Sequence, residues 1–172
     1  MRKVKPLLDE SSCFVHDRAM SQSFSQLQVS APGQVLARGV SRLLRTLGYA
    51  PLTEFVPVRG LRVDVIALGP KGEIWVVECK SSRSDFTSDQ KWHGYLDWCD
   101  RFFWAVSPEF PVEILPQQTG LMLGDGYGAE ILRMPEASPV AAPRRKALIS
   151  GFARQAALRL ARVQDPNADA GG

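Results

Sequence analysis

Asp64, Glu78 and Lys80 are the residues of this chain best placed to do chemistry. The two acids lie toward the far ends of two apolar runs, and Pro70-Lys71-Gly72 between the runs has the residues of a three-residue hairpin loop. Proline suits the first position of such a turn, and glycine suits the left-handed position that closes it. That loop pairs Gly69 with Glu73, and the register then runs back through Leu68–Ile74 and Ile66–Val76 to Asp64–Glu78. Two carboxylates would face each other on one side of the sheet, which is destabilising on its own. A hard divalent cation between them, Mg2+ or Mn2+, would reverse the sign. Strand alternation puts Lys80, two residues beyond Glu78, on the same side. The plain alternative is a salt-bridged polar end of a sheet, with Arg62 opposite Lys80. That alternative is costly, because a lysine and two acids on central strands are expensive without a task.

The surrounding elements follow from periodicity. Ser30 is a fitting helix N-cap with Pro32 in the first turn; Leu36, Val40, Leu43 and Leu47 recur at helical spacing, and Gly48 is the stop. Arg38, Arg42 and Arg45 form a separate stripe on that helix, either a solvated face or one that meets phosphates. Leu52–Val58 is a first strand carrying Glu54, and Leu61–Leu68 and Glu73–Lys80 are the hairpin strands. The hairpin strands are apolar on both faces, so they belong in the middle of a covered sheet. Ser81–Ser88 is polar and expected to be a loop or short turn. Asp89–Cys99 is expected to be a helix with Trp92, Tyr95, Leu96 and Cys99 on one face, Trp92 and Tyr95 being core. Residues 102–106 form a buried fourth strand. The glycines 124, 126 and 128 lack the context of a phosphate loop and mark a hairpin turn between short strands at Leu121–Leu123 and Ala129–Leu132. A last helix from Arg144 to Arg162 turns Ile149, Phe152, Ala153, Ala156 and Leu160 inward. It opens on Arg144, Arg145 and Lys146, cations that oppose the helix dipole unless phosphates approach.

Composition narrows the classes. The chain has 172 residues, 45% of them hydrophobic and 23% charged, and a formal net charge of only +3, so it is globular and its bulk charge names no partner. Three cysteines without framework spacing point to a reducing compartment, and the cytoplasm is the expected location. Two distant histidines and no cysteine pair argue against structural zinc. No run is long enough to span a membrane. A polar arm is expected over residues 1–29, the main domain over 30–163 and a tail over 164–172. Met20 is an alternative start.

The order helix, strand, strand-turn-strand with Asp64-x13-Glu78-x-Lys80, helix, strand resembles the PD-(D/E)XK nuclease superfamily. The stretch from Glu78 to Val106, with Asp85, Asp89, Lys91, Trp92, Tyr95 and Asp100, is similar to the MmcB-type DNA-repair family of that superfamily. So is Gly120 to Arg133, with Asp125, Tyr127 and Glu130. The resemblance covers roughly residues 33–160, and Val63 stands where the superfamily name has proline. It implies an α/β restriction-endonuclease-like core, a central mixed β-sheet flanked by helices in the order α-β-β-β-α-β. It also implies a metal-dependent DNA endonuclease, with a non-cleaving DNA-binding repair accessory as the alternative. The metal ligands it implies are Asp64, Glu78 and the Cys79 carbonyl. There a cation would lower the pKa of a bound water and neutralise charge on the phosphate. Lys80 would orient that water or stabilise the developing charge. Many relatives have a third acid, and Glu54 is the candidate; Lys91 would reach the scissile phosphate. The basic residues of both helices are the candidate DNA contacts. A homodimer is not legible in the sequence.

Overall fold

The computed structural model describes residues 31–89 and 91–167. The expected 1–29 arm, Ser30 and residues 168–172 of the expected tail lie outside them. Helix α1 (Pro32–Thr46) is followed by strands β1 (Ala50–Val58), β2 (Leu61–Leu68) and β3 (Ile74–Lys80). A short helix α2 (Arg83–Ser88) and a 3-10 helix (Trp92–Trp98) lead to β4 (Arg101–Val106). Strands β5 (Gly120–Gly124) and β6 (Ala129–Arg133) precede the last helix, α3 (Ala142–Gln164). The strands form one six-stranded sheet in sequence order. Pairs β1–β2, β2–β3 and β5–β6 are antiparallel, and β3–β4 and β4–β5 are parallel. This is the expected mixed α/β sheet in the expected α-β-β-β-α-β order.

The hairpin register is the one the turn residues specify. Gly69 donates to the Glu73 carbonyl and Gly72 to the Gly69 carbonyl, and Gly72 takes a left-handed φ of 86°. Leu68–Ile74 and Ile66–Val76 are paired as expected. Alternation then sorts the sheet's two faces. Val65, Ala67, Trp75, Val77 and Phe103 pack under α1, and Ile66, Ile74, Val76, Phe102 and Trp104 form a second core with Trp92, Tyr95 and Leu148.

Four expectations need correction. Residues 83–88 are helical rather than loop, because the Ser82 side chain accepts the Asp85 amide and caps the first turn. The segment after Asp89 is a 3-10 helix rather than an α-helix; Trp92, Tyr95 and Trp98 recur at its three-residue period, and Leu96 is exposed. On α1, whose N-cap is Ala31, the buried face is Leu36, Ala37, Val40 and Leu44, with Leu47 exposed. On α3, which begins at Ala142, the buried residue is Leu148, and Ala153 and Leu160 face solvent.

Candidate active site

The sheet forks where the acids stand. The β2–β3 ladder ends at the Val65–Val77 pair. Beyond it β2 pairs only with β1, through Val63–Phe55 and Leu61–Val58, while Glu78, Cys79 and Lys80 pair only with β4. Each acid braces the opposite strand across the fork. The Asp64 amide donates to Glu78 Oε1 at 3.1 Å, and the Cys79 amide donates to Asp64 Oδ2 at 2.8 Å. One oxygen of each carboxylate is thus committed to a main-chain amide, and the other remains for a further ligand. The fork opens into a cleft of about 840 Å³ lined by Asp64, Glu78, Cys79, Lys80, Glu54 and Tyr95, among others.

The electrostatics of this pair are unfavourable. Burial, and then the Asp64 charge, push the Glu78 carboxyl up to about 9, although its bond to the Asp64 amide works the other way. Burial also raises Asp64, against the pull of the Cys79 amide and of Lys80. Glu78 is therefore protonated at neutral pH unless a cation joins it. Lys80 does not neutralise it well: its Nζ is 3.9 Å from Glu78 Oε2 but 2.6 Å from Asp89 Oδ2. Burial opposes the lysine's charge, yet Asp89 more than offsets it, and the pKa is raised. Lys80 is thus a charged group held beside the acids by a third carboxylate.

Among the described residues, no group of three or more His, Cys, Asp or Glu side chains is gathered to hold a metal ion. The donor set is smaller: a spare oxygen on each of Asp64 and Glu78, and the Cys79 carbonyl. That carbonyl faces Gly33 of α1, where an added Cβ would lie 3.8 Å from it. These donors fit a hard cation that keeps several waters, as Mg2+ does, and a cation is the species whose arrival would reverse the raised pKa values of both acids.

Glu54 reaches the cleft in an unusual way. The pairs Thr53–Val65 and Phe55–Val63 put it opposite Asp64 on β1. Its φ of 51° is the left-handed region, which for a residue with a side chain costs on the order of 1–3 kcal/mol. Its carbonyl accepts from Gln155 and Arg159 of α3, and its carboxylate pairs with Arg62 Nε at 3.0 Å. Arg62 is therefore the partner of Glu54 rather than of the fork acids. Lys91 is exposed on the cleft rim, and its amide donates to Asp89 Oδ1 at 2.9 Å.

The basic candidates divide. Arg38, Arg42 and Arg45 are exposed on α1, with Arg42 donating to the Gly126 and Tyr127 carbonyls at 3.1 Å each. Arg144 lies over the Trp98 ring, 4.9 Å from its centroid, and donates to the Asp97 carbonyl. Lys146 is exposed. Arg145 is a correction: it forms a two-pronged pair with Asp100 and also donates to the Gly72 carbonyl, so it ties α3 to the sheet. A helix start that looked costly by its dipole is offset by a buried acid.

Two site residues were underrated in the sequence. Asp89 entered the sequence reading only as the start of a helix and within the family resemblance, and it is the closest partner of Lys80. Tyr95 looked like core; it is buried, but it also lines the cleft and donates to the Arg62 carbonyl. No spacing rule marks Asp89, because a helix and a turn intervene between it and Lys80.

A family model described as MmcB-like, DNA repair protein MmcB-like, matches residues 20–167. Among solved structures, the chain is similar to the SPO1766 protein of unknown function from Silicibacter pomeroyi. That similarity is 59% identity and a TM-score of 0.80, over 81% of this chain and 96% of that one. A repair endonuclease from Pyrococcus abyssi matches at 20% identity and a TM-score of 0.30, over 41% of this chain and 34% of that one, a likeness too slight to carry an argument. No curated protein matches the chain.

Proposed function

The chain belongs to the MmcB-like DNA-repair family, and we propose that it is a metal-dependent DNA endonuclease whose phosphodiester hydrolysis takes place at the β2–β3 fork. One observation carries the reading. A half-buried Asp64 and a buried Glu78 share the end of a hairpin, and burial, then the Asp64 charge, push the Glu78 carboxyl up to about 9. A fold that only needed a polar sheet end would not hold its acids in this state.

Asp64, Glu78 and the Cys79 carbonyl would hold Mg2+ or Mn2+, which supplies an acidified water and positive charge against the phosphate. Lys80, held at 2.6 Å by Asp89, offers its remaining N–H donors to a phosphate oxygen or to the attacking water. Glu54 adds a carboxylate on the β1 side of the cleft, where it can accept a proton from water or extend the donor set. Lys91, on the rim, meets the backbone of the bound strand.

A second reading has its own support. Lys80 is tied tightly to Asp89, and the fork offers two carboxylates rather than three. Those features suit a DNA-binding repair accessory that does not cut. Labelled duplex, nicked and branched DNA, incubated with Mg2+ or Mn2+, separates the two. Cutting by the wild type that disappears in Asp64→Asn and Glu78→Gln supports the endonuclease. Salt-sensitive binding with no cutting under either metal sinks it and leaves the accessory.

A further inference from the structure

The side chain of Tyr127 is 84% exposed, at the tip of the β5–β6 hairpin. Nothing about that tip is loosely built. Asp125 Oδ1 accepts the amides of Tyr127 and Gly128 at 2.7 and 2.9 Å, and the Asp125 amide closes the turn onto the Gly128 carbonyl. Arg42 of α1 donates to the carbonyls of Gly126 and Tyr127, and its guanidinium carbon stands 6.0 Å from the Tyr127 ring centroid. The turn presses so closely on α1 that a Cβ at Gly39 would come 2.0 Å from the Asp125 carbonyl oxygen. The fold thus fixes a large aromatic ring on a rigid turn and leaves the ring itself in water.

The ring's position relates it to the fork. Lys80 pairs with Val106 on β4, and Val106 with Leu123 on β5, so these three residues form one row across the sheet. At the spacing of adjacent strands, Lys80 and Leu123 are roughly 10 Å apart, and the Tyr127 turn leaves from the same end of the sheet. The N-terminal part of α1 lies between: Gly33, Gln34 and Ala37 line the cleft, whereas Gly39 and Arg42 meet the turn. The Arg42 guanidinium puts positive charge beside the ring. An exposed ring with the Arg42 guanidinium beside it, on a turn at the same end of the sheet as the fork, has the chemistry of a base-stacking platform.

We propose that Tyr127 stacks on an unpaired nucleobase of the DNA substrate. This directs the fork toward DNA that offers a single-stranded segment, a flap or a branch, rather than toward an uninterrupted duplex. The inference rests on the DNA reading above and deepens it. A paired and stacked base exposes only its edges in the grooves, so a protruding ring gains little from blunt duplex. An unpaired base offers its π-face, and alanine substitution at such a contact weakens binding on the order of 5- to 150-fold.

The test compares wild type with Tyr127→Ala and Tyr127→Phe, without metal so that nothing is cut, on a blunt duplex and on the same duplex with a single-stranded flap. The flap carries 2-aminopurine. The expected result is flap DNA held by wild type and Tyr127→Phe and weakened on the order of 5-fold or more by Tyr127→Ala. Blunt duplex should be affected less than about twofold. Quenching of 2-aminopurine on binding should be present in the first two proteins and absent in the third. Equal losses on both DNAs, no loss on either, or quenching that persists in Tyr127→Ala would each overturn the stacking role while leaving the DNA reading standing. A change confined to the protein's mass in solution would assign the ring to self-association and overturn the proposal likewise. Failure of the wild type to bind any DNA would remove the DNA reading itself, and this inference with it. Matching circular dichroism and melting of the variants confirms that the exposed substitution has left the fold intact.

Discussion

Two acidic sites stand at opposite ends of the same sheet, and they are treated in opposite ways. Asp100, just before β4, is met by everything a carboxylate needs. Arg145 donates to both its oxygens at 2.7 and 2.5 Å, and the amides of Ile74 and Val140 donate at 2.7 and 2.9 Å. Burial works against its charge, but Arg145 and the two amides outweigh burial, and the pKa falls below the ordinary carboxylate value. Asp64 and Glu78 receive one amide each, repel each other, and have Lys80 drawn away toward Asp89. Their pKa values rise. A satisfied buried acid is a fastener, and an unsatisfied pair at a cleft is a site awaiting a charge from outside.

The largest expected effect breaks the fastener. Arg145→Ala leaves Asp100 buried without its cation and should cost about 3 kcal/mol or more in urea unfolding. A loss under about 1 kcal/mol would mean that the pair is dispensable and the contrast overdrawn. This cost also means that Arg144, Arg145 and Lys146 cannot be stripped together as a neutral test of DNA contacts.

A smaller effect concerns pH. The folded state keeps a proton on Glu78 that the unfolded chain gives up near 4.5, so stability falls as pH rises from about 4.5 toward 9. The slope from this one group reaches at most about 1.4 kcal/mol per pH unit. Asp100 acts in the opposite sense. Its stabilisation is present above 3.8 and is lost as pH falls through its lower folded value. Metal-free Glu78→Gln should therefore lose melting temperature less steeply than wild type between pH 5 and 8, the remaining decline coming from Asp64, which burial also raises. Parallel curves for the two proteins would show that Glu78 is not held protonated. Smallest of all is Lys146→Ala, an exposed change expected to alter stability by under about 0.5 kcal/mol. If it contacts a phosphate, the plot of log affinity against log salt should flatten by about 0.9.

Local chemistry made the hairpin register legible but not the fork, because the expected Asp64–Glu78 pair lies just beyond the last ladder pair, Val65–Val77. Pro70 and Gly72 fix the turn, the turn fixes the register, and alternation puts Asp64, Glu78 and Lys80 on one face. That chain of inference uses only neighbours and period. Asp100 and Arg145 are 45 residues apart, and no period links them, so Arg145 read as spare charge. The left-handed backbone at Glu54 was also hidden, because nothing in the residues around it demands φ above zero; contacts from α3 hold it. Helix α2 was missed because five of its six residues are polar and none is fully buried; the Ser82 cap and the packing of Phe86 against Trp104 sustain it. The 3-10 segment was assigned the wrong period because tryptophan and tyrosine at 92, 95 and 98 satisfy a spacing of three and, in part, one of three and four.

The central claim is that the fork is built for a divalent cation, and calorimetric titration with Mn2+ at neutral pH tests it most directly. Wild type should show saturable binding at one site, and the heat should vary with the ionisation enthalpy of the buffer, because the arriving cation displaces about one proton from Glu78. Asp64→Asn and Glu78→Gln should show no such site. Saturable binding that survives in Glu78→Gln, or a wild type that binds no Mn2+ at all, would contradict the account.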